Sequence, residues 1–257
     1  MDIVKEHLLA AFKEGKRMDG RGFDEYRNIS VEYGASNGAE GSARVIIGDT
    51  EVVAGVKIEV GEPFPDTQDE GGIMINAELR PFSSPEFELG PPSVDAIELS
   101  RVVDRALREG HALDFKKLCI KKGELVWMVV IDIYPISDGG NLFDASSLAA
   151  LAALSDAKFP KLEGDVVNYK ETSGKKLPLK AMPVSCGVLK IADNFIVDPS
   201  IDEEKFFDSK LIVGVLEDGT LCSMQKSGDT GLDTADIEKM VEIAIKKTKE
   251  LRKALTK

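Results

Sequence analysis

The sequence predicts an α+β protein built from two similar halves, in which β-hairpins pack against helices. Strand-like segments come in hairpins rather than singly between helices, which favours antiparallel sheets over a doubly wound parallel sheet. The order of hairpins and helices before residue 160 recurs in shorter form after residue 182. A chain of 257 residues, 43% of them hydrophobic, can bury a sizeable core as one large domain or two small ones.

Elements of the first half follow from hydrophobic periodicity and turn residues. Leu8 and Phe12 lie on one face of an amphipathic helix that ends at Gly15, and Ser93 is a typical N-cap for a helix that ends near Gly110. The predicted elements are a helix over 2–15, strands 44–47 and 51–60 in a hairpin, a strand over 73–79, a helix over 94–110, strands 118–120 and 125–134 in a second hairpin, and a helix over 142–158.

The segment between residues 61 and 92 is rich in proline and glycine around one short strand. An irregular segment of this length is usually functional or lies at an interface. It is too apolar for a disordered insert, so we expect it to pack against a neighbouring subunit. Its apolar residues include Ile73, Met74, Ile75, Leu79, Phe82 and Phe87.

Residues 160–182 are polar and rich in turn residues, which makes them the best candidate boundary between the halves. Beyond them, turns at 193–194 and 218–219 predict two hairpins, and a last amphipathic helix starts near Asp233. The strands of these hairpins cover 183–191, 195–197, 211–216 and 221–225. The resulting division is 1–28 for an N-terminal helix and extended arm, 29–159 for the first subdomain, 160–182 for a connecting segment and 183–257 for the second subdomain.

The composition argues against several classes of protein. A net charge of −12 disfavours a free-standing nucleic-acid binder, so RNA contact must depend on a local basic stripe or on a partner. With only His7 and His111, zinc sites and histidine triads are not expected, and we predict no metal and no cofactor for this chain. The scattered Cys119, Cys186 and Cys222 predict reduced core thiols. No secretory signal or membrane-spanning run is visible, which predicts a cytoplasmic protein.

The most informative stretch is Asp138-Gly139-Gly140-Asn141, which precedes a run of small and apolar residues that predicts a buried helix. A glycine turn that leads into a helix presents free N–H groups to an oxyanion or phosphate. An enzyme that uses phosphate needs a hydroxyl followed by an arginine here, but this chain has Asn141 and Leu142. Loss of the charged contact costs roughly a hundredfold in binding or more. A simple strand-to-helix connection is therefore favoured, although we still expect the helix end to attract an incidental anion.

A stripe of arginines lies on the second predicted helix. Arg101, Arg105 and Arg108 fall at i, i+4 and i+7, so they share one face beside the buried face. Glu98 and Asp104 have the right spacing to pair with Arg101 and Arg108. The residues alone therefore favour an ordinary solvated face over a binding surface.

Several motifs resemble those of the RNase PH family, in both halves of the chain. The resemblance is closest to the non-catalytic RNase PH-like subunits of archaeal exosome rings. It implies two ββαβ-like halves with sheets packed against helices, the first half like the second domain of ribosomal protein S5. The motifs are Lys16-Arg17-Met18-Asp19-Gly20-Arg21-Gly22, Glu25-Tyr26-Arg27, Pro65-Asp66-Thr67, Asn76-Ala77-Glu78-Leu79, Phe87-Glu88-Leu89-Gly90-Pro91-Pro92, Arg101-Val102-Val103-Asp104-Arg105 and Val197-Asp198-Pro199.

The resemblance implies an alternating hexameric ring, three copies of this chain with three of a catalytic paralogue. That paralogue shortens single-stranded RNA from its 3′ end by phosphorolysis, using inorganic phosphate and in some cases a divalent metal. RNA-binding cap proteins complete the assembly. No membrane contact is expected.

The resemblance also assigns roles to residues of this chain. Arg101 and Arg105 contact RNA phosphates across the subunit interface, with less support for Arg108, Lys116 and Lys117. Gly139, Gly140 and Asn141 form a degenerate phosphate site without catalytic residues. The resemblance makes Asp198 and Glu204 vestigial acidic residues, which no longer take part in catalysis. The simpler interpretation is that they belong to a solvated acidic turn. Arg21 and Arg27 either anchor the N-terminal segment or line the ring.

The leading interpretation is a non-catalytic subunit that scaffolds the ring and holds RNA for its neighbour. A divergent active phosphorolytic exoribonuclease, holding phosphate through Asn141 and backbone N–H groups, stays open as the first alternative. A binding module related to ribosomal or small-molecule kinase folds ranks last, because the longer glycine-rich phosphate loop of those kinases is not found.

Overall fold

The computed structural model describes residues 3–256 and confirms the α+β class. The first half forms a six-stranded sheet in the order β1-β2-β3-β6-β4, with β5 paired on β6. Only β4 and β6 are parallel; the other pairs are antiparallel, as hairpins require. The strands are β1 (Ile29–Tyr33), β2 (Gly41–Ile47), β3 (Thr50–Gly61), β4 (Gly72–Ala77), β5 (Cys119–Lys121) and β6 (Leu125–Ser137).

The α-helices of the first half end close to the predicted positions, and they are α1 (Ile3–Lys13), α2 (Val94–Glu109) and α3 (Leu142–Asp156). A 3-10 turn (Phe115–Leu118) was not predicted. The predicted N-cap of α2 is confirmed, since Ser93 Oγ accepts the N–H of Ala96 at 3.2 Å. The predicted start of α1 at residue 2 lies outside the described residues. No helix within residues 3–256 is long and apolar enough to cross a membrane.

A β-hairpin occupies most of residues 160–182, which were predicted to be a polar connection between the halves. Its strands are β7 (Lys158–Glu163) and β8 (Val166–Lys176). Most side chains of β8 are exposed, so the alternation that marks a half-buried strand is missing from the sequence. The short strand β1 was also not predicted, because five residues of alternating partial burial give a weak signal.

The second half forms a four-stranded antiparallel sheet in the order β10-β9-β11-β12. The helix α5 starts where predicted, next to Asp233, whose Oδ1 caps it by accepting the N–H of Asp236 at 2.7 Å. A one-turn helix after the Val197-Asp198-Pro199 turn was not predicted. The elements are β9 (Val184–Ile191), β10 (Asn194–Val197), α4 (Ile201–Glu204), β11 (Ser209–Val215), β12 (Leu221–Ser227) and α5 (Thr234–Lys253).

Helix α3 joins the two halves. It packs on β2 and β3 of the first sheet and on β9 of the second, and one hydrophobic core includes residues of both sheets. Gly41 of β2 allows the close approach at the end of α3, because a Cβ there would lie only 2.4 Å from the backbone nitrogen of Ala157. The turn that precedes α3 is therefore held at the junction of the two halves.

Candidate functional site

The glycine turn before α3 has a backbone that its sequence makes possible. Gly140 has φ of 90°, and a Cβ there would lie 2.5 Å from the carbonyl oxygen of Pro199. Asn141 has φ of 64°, in the left-handed region that asparagine tolerates better than most residues. The turn thus lies directly against the segment that precedes α4.

The N–H groups of this turn are already bonded to side chains of the chain itself. Gly139 donates to Thr50 Oγ1 at 3.2 Å, Gly140 to Asp138 Oδ1 at 3.0 Å and Asn141 to Glu204 Oε1 at 3.2 Å. The N–H groups of Gly139, Gly140 and Asn141, predicted as a degenerate phosphate site, therefore all have hydrogen-bond partners within the chain. A carboxylate of the chain occupies the place where a bound anion would accept these bonds.

The side chain of Asn141 points into the protein, with only 3% of the residue exposed. Its Nδ2 donates to Asp198 Oδ1 at 2.9 Å and to Asp144 Oδ2 at 3.2 Å. Both hydrogen bonds of the Asn141 Nδ2 are thus made inside the protein. Burial raises the pKa of Asp144 to about 7, against the opposing hydrogen bond from the Tyr26 hydroxyl at 2.6 Å.

Asp198 is fully buried beneath the turn, where two arginines neutralise it. Arg21 Nη1 lies 2.8 Å from Oδ2, and Arg27 Nη2 lies 2.7 Å from Oδ1. Burial alone would raise the pKa of Asp198, but the hydrogen bond and charge of Arg27 lower it below its usual value. Arg27 also donates to the carbonyl oxygens of Gly139 and Gly140, at 2.8 and 3.0 Å. Asp198 and both arginines therefore anchor the N-terminal arm and the turn.

A second buried ion pair lies beside this one and was missed in the sequence. Arg17 pairs with Glu203, and its guanidinium also donates to the carbonyl oxygens of Val197 and Asp198, at 2.9 and 2.8 Å. The Ser200–Glu203 capping box fixes the position of that glutamate at the start of α4. The consecutive acidic residues 202–204 therefore lie in different surroundings: Glu203 is buried in an ion pair, whereas Asp202 is exposed.

Glu204 borders a small cavity, of about 170 Å³, beside the start of α3. Four carboxylates line it, those of Asp95, Glu98, Asp138 and Glu204, together with Lys210 as its one cation. Burial raises the pKa of Glu204 to about 7, partly offset by Lys210, and also raises the pKa of Asp138. The local charge therefore opposes entry of phosphate, and Leu142 at the start of α3 adds no cation to balance it.

Arg101 and Arg105 are exposed on α2 and line a neighbouring cleft of about 230 Å³ with Met224 and Gln225. Glu98 does not pair with Arg101, because it accepts the hydroxyl of Ser227 at 2.6 Å. Within residues 3–256, neither of these arginines has a carboxylate within salt-bridge distance. The predicted internal pairing on this face is thus wrong for Arg101, which leaves its charge available to a ligand.

Arg108, Lys116 and Lys117 lie in different surroundings from this arginine pair. Arg108 pairs with Asp104 as the spacing predicted, and it donates to the carbonyl oxygen of Ile73 at 2.7 Å. Lys116 and Lys117 lie on the 3-10 turn, and Lys117 lines a separate cleft with Trp127. The structure therefore does not extend the arginine stripe through these residues.

No group of three or more metal-ligating side chains is present in the part of the chain that the structure describes. The three thiols form no disulfide in that part. Cys186 is buried as predicted, whereas Cys119 and Cys222 are only partly buried.

The chain matches known proteins over almost its whole length. Residues 25–160 match domain 1 of the 3′ exoribonuclease family, and residues 181–247 match domain 2. The exosome complex component Rrp42 of Methanosarcina acetivorans is 46% identical, over 97% of this chain and 92% of the relative. The component of the same name from Methanocella arvoryzae is 48% identical, over 99% of this chain and 96% of the relative.

Chains in solved structures of archaeal exosomes also match this chain over almost its whole length. A chain of the Archaeoglobus fulgidus exosome with RNA bound to the active site superposes with a TM-score of 0.91 and 42% identity, covering 99% of this chain and 98% of that one. A chain of an archaeal exosome core gives a TM-score of 0.87 and 40% identity, covering 100% and 97% of the two chains. These matches and the two-half fold show that the chain belongs to the 3′ exoribonuclease family, the RNase PH family.

Proposed function

We propose that the chain is a non-catalytic ring subunit of an archaeal exosome, a complex that degrades RNA from the 3′ end. The similarity to Rrp42 components over 92–96% of their length supports the placement in this complex. Three copies would alternate with three of a catalytic RNase PH-like paralogue, and RNA-binding cap proteins would cover one face. The catalytic paralogue would use the inorganic phosphate, so this chain would need no cofactor. The ring would work in the cytoplasm.

The observation that carries the non-catalytic role is the occupied turn before α3. Attack by phosphate requires an anion site with compensating positive charge. Here Glu204 accepts the N–H of Asn141, and the adjoining cavity has four carboxylates and one lysine. These contacts disfavour the alternative of a divergent active exoribonuclease that holds phosphate through Asn141.

The role in RNA binding is supported by the arginine pair. Arg101 and Arg105 lie one turn apart on α2, are exposed and line a cleft whose carboxylate, Glu98, accepts the hydroxyl of Ser227 instead of pairing with them. Guanidinium groups bind phosphates through charged, often bidentate hydrogen bonds. We infer that they hold the RNA while the neighbouring subunit performs the phosphorolysis.

The interface with that neighbour would include the loop between β4 and α2. Phe82 is 82% exposed, Leu89 77% and Val94 81%, a concentration of apolar surface that is unusual for an isolated chain. The sequence-based expectation that this loop packs against another subunit is thus strengthened. Isolated, the chain would expose this surface to water.

The test is phosphorolysis of oligoadenylate by the purified chain alone, by the paralogue alone and by their mixture. We expect activity in the mixture and none from this chain alone. Arg101→Glu combined with Arg105→Glu should lower turnover by the mixture at least about tenfold, since one lost charged hydrogen bond is worth about that factor.

The matched control is Lys249→Glu combined with Lys253→Glu, which changes the net charge equally at two exposed positions on α5. It should leave turnover unchanged. Phosphate-dependent shortening of RNA by this chain alone would overturn the non-catalytic role. An unchanged rate with the arginine variant would remove Arg101 and Arg105 from RNA binding.

A further inference from the structure

A second cleft lies between the 3-10 turn, the start of β6 and the β7–β8 hairpin. Its volume of about 380 Å³ falls within the range of roughly 300–1,000 Å³ that is typical of ligand pockets. The residues that line it include Lys117, Trp127, Phe159, Lys161, Ser173 and Lys175. None of them lines the cleft of Arg101 and Arg105.

The surface around this cleft is strongly basic, although the chain as a whole has a net charge of −12. Residues 115–122 and 158–180 together contain ten lysines and three carboxylates. Lys117, Lys121 and Lys161 form ion pairs. The other lysines have no carboxylate within salt-bridge distance in residues 3–256: Lys116, Lys122, Lys158, Lys170, Lys175, Lys176 and Lys180. A polyanion would therefore be attracted to this surface rather than to the acidic remainder.

The hairpin places two of these lysines directly opposite each other. Lys158 and Lys176 are partners in the register of β7 and β8. Like charges at directly opposed positions destabilise an antiparallel pair. An anion bound beside these strands would relieve that repulsion.

Aromatic rings lie in the same cleft as the cations. The ring centroids of Trp127 and Phe159 are 5.3 Å apart with planes inclined at 42°, and both residues line the cavity with Lys117, Lys161 and Lys175. Proteins that bind single-stranded nucleic acids combine such cations for the phosphates with ring faces or edges for the bases. An acidic peptide would use the cations but has no flat base to place against the rings.

We propose that this cleft is a second binding site for single-stranded RNA, separate from the arginine pair on α2. Lys175 binds a phosphate directly, and Lys117 and Lys161 do so by exchanging their present carboxylate partners. One base packs against Phe159, beneath which Trp127 is only 9% exposed. The site extends the RNA contact of the chain beyond the segment that enters a neighbouring active site. It does not depend on phosphorolysis.

Trp127 is the single tryptophan of the chain, so its fluorescence reports directly on this cleft. We expect titration of the full-length chain with oligoadenylate to quench that fluorescence. Lys117→Glu combined with Lys175→Glu should weaken the quenching at least about tenfold. It should also lower the slope of log affinity against log salt by about 1.4, since each single-strand phosphate contact contributes about 0.7.

A charge-matched control separates this site from general electrostatics. Lys249→Glu combined with Lys253→Glu, which changes the net charge equally at exposed positions on α5, should retain the quenching. Absence of quenching in the wild-type chain would overturn the proposal, and so would loss of quenching in this control. Equal quenching by polyglutamate would assign the cleft to an acidic peptide instead and would equally overturn it. None of these outcomes tests whether Arg101 and Arg105 bind RNA in the assembled ring.

Discussion

Glu204 and Asp144 are two carboxyl groups whose pKa burial raises to about 7. Asp144 is completely buried, whereas Glu204 borders a cavity and keeps part of its surface in contact with solvent. An acid with a higher pKa in the folded chain than in the unfolded chain binds its proton more tightly when folded. The free energy of unfolding therefore falls as the pH rises from the unfolded value, about 4 to 4.5, towards 7, and levels off above it.

We predict that Glu204→Gln weakens this pH dependence. Glutamine keeps a carbonyl oxygen for the N–H of Asn141 but does not ionise. The loss of unfolding free energy between pH 5 and pH 8, measured by urea denaturation, should be smaller in the variant by about 1 kcal/mol, a value discounted for partial exposure. Asp144 titrates in the same range, so part of the dependence should persist. Asp202→Asn, on the exposed side of α4, should leave the wild-type profile unchanged; identical profiles for all three proteins would contradict the prediction.

At the scale of secondary structure, the turn between β6 and α3 shows what sequence patterns can and cannot reveal. The spacing of Asp138-Gly139-Gly140-Asn141 correctly located the turn and the helix after it. It could not reveal that Thr50, from β3, and Glu204, from α4, complete the hydrogen bonds of the turn. Those partners lie 89 and 63 residues away along the chain, and only the fold brings them together.

The same distinction holds for the charged surfaces. Helical spacing predicted the Asp104–Arg108 pair and placed Arg101 and Arg105 on one face, because both facts are local to α2. Glu98 does not pair with Arg101, because its carboxylate accepts a hydrogen bond from Ser227 in β12, which is distant in the sequence. The β7–β8 hairpin was missed because its strand pairing is stabilised with little burial, so no hydrophobic alternation marks it.

A prediction at this scale concerns the close approach of the turn to the segment before α4. Gly140→Ala would place a Cβ 2.5 Å from the carbonyl oxygen of Pro199 and would also strain a residue with φ of 90°. We expect a loss of at least about 2 kcal/mol in unfolding free energy. Gly174→Ala is the matched control, because Gly174 has φ of 76° but no atom within 4 Å of the added Cβ. It should cost about 1 kcal/mol, and equal losses in both variants would contradict the role of the contact.

At the scale of the whole molecule, Asp198 connects three parts of the chain. Its carboxylate binds Arg21 and Arg27 of the N-terminal arm and Asn141 at the start of α3, while the residue itself follows β10 of the second half. Its pKa is lowered in the folded chain, so its contribution to stability is present above the unfolded pKa of about 4 and is lost as the pH falls through the lower folded value.

We predict that Asp198→Asn destabilises the chain by about 3–5 kcal/mol at neutral pH, because two partly buried guanidinium groups lose their counter-charge. Urea denaturation at pH 7 measures this loss, and limited proteolysis should show earlier cleavage of residues 14–28. Asp24→Asn removes an exposed carboxylate from the same arm and should cost less than about 1 kcal/mol. A loss of unfolding free energy of similar size in both variants would show that the buried ion pairs of Asp198 stabilise the chain no more than an exposed pair does.

If the chain is non-catalytic, as proposed, the hydrogen bond from Asn141 to Glu204 has a consequence for any attempt to give it activity. Glu204 is tethered to the protein, so it competes with dissolved phosphate as an intramolecular ligand whose effective concentration is on the order of millimolar or higher. An arginine introduced at position 142 would add the missing charge, yet it would attract that resident carboxylate first. Phosphorolysis by this subunit would therefore require displacement of a built-in competitor as well as a new cation.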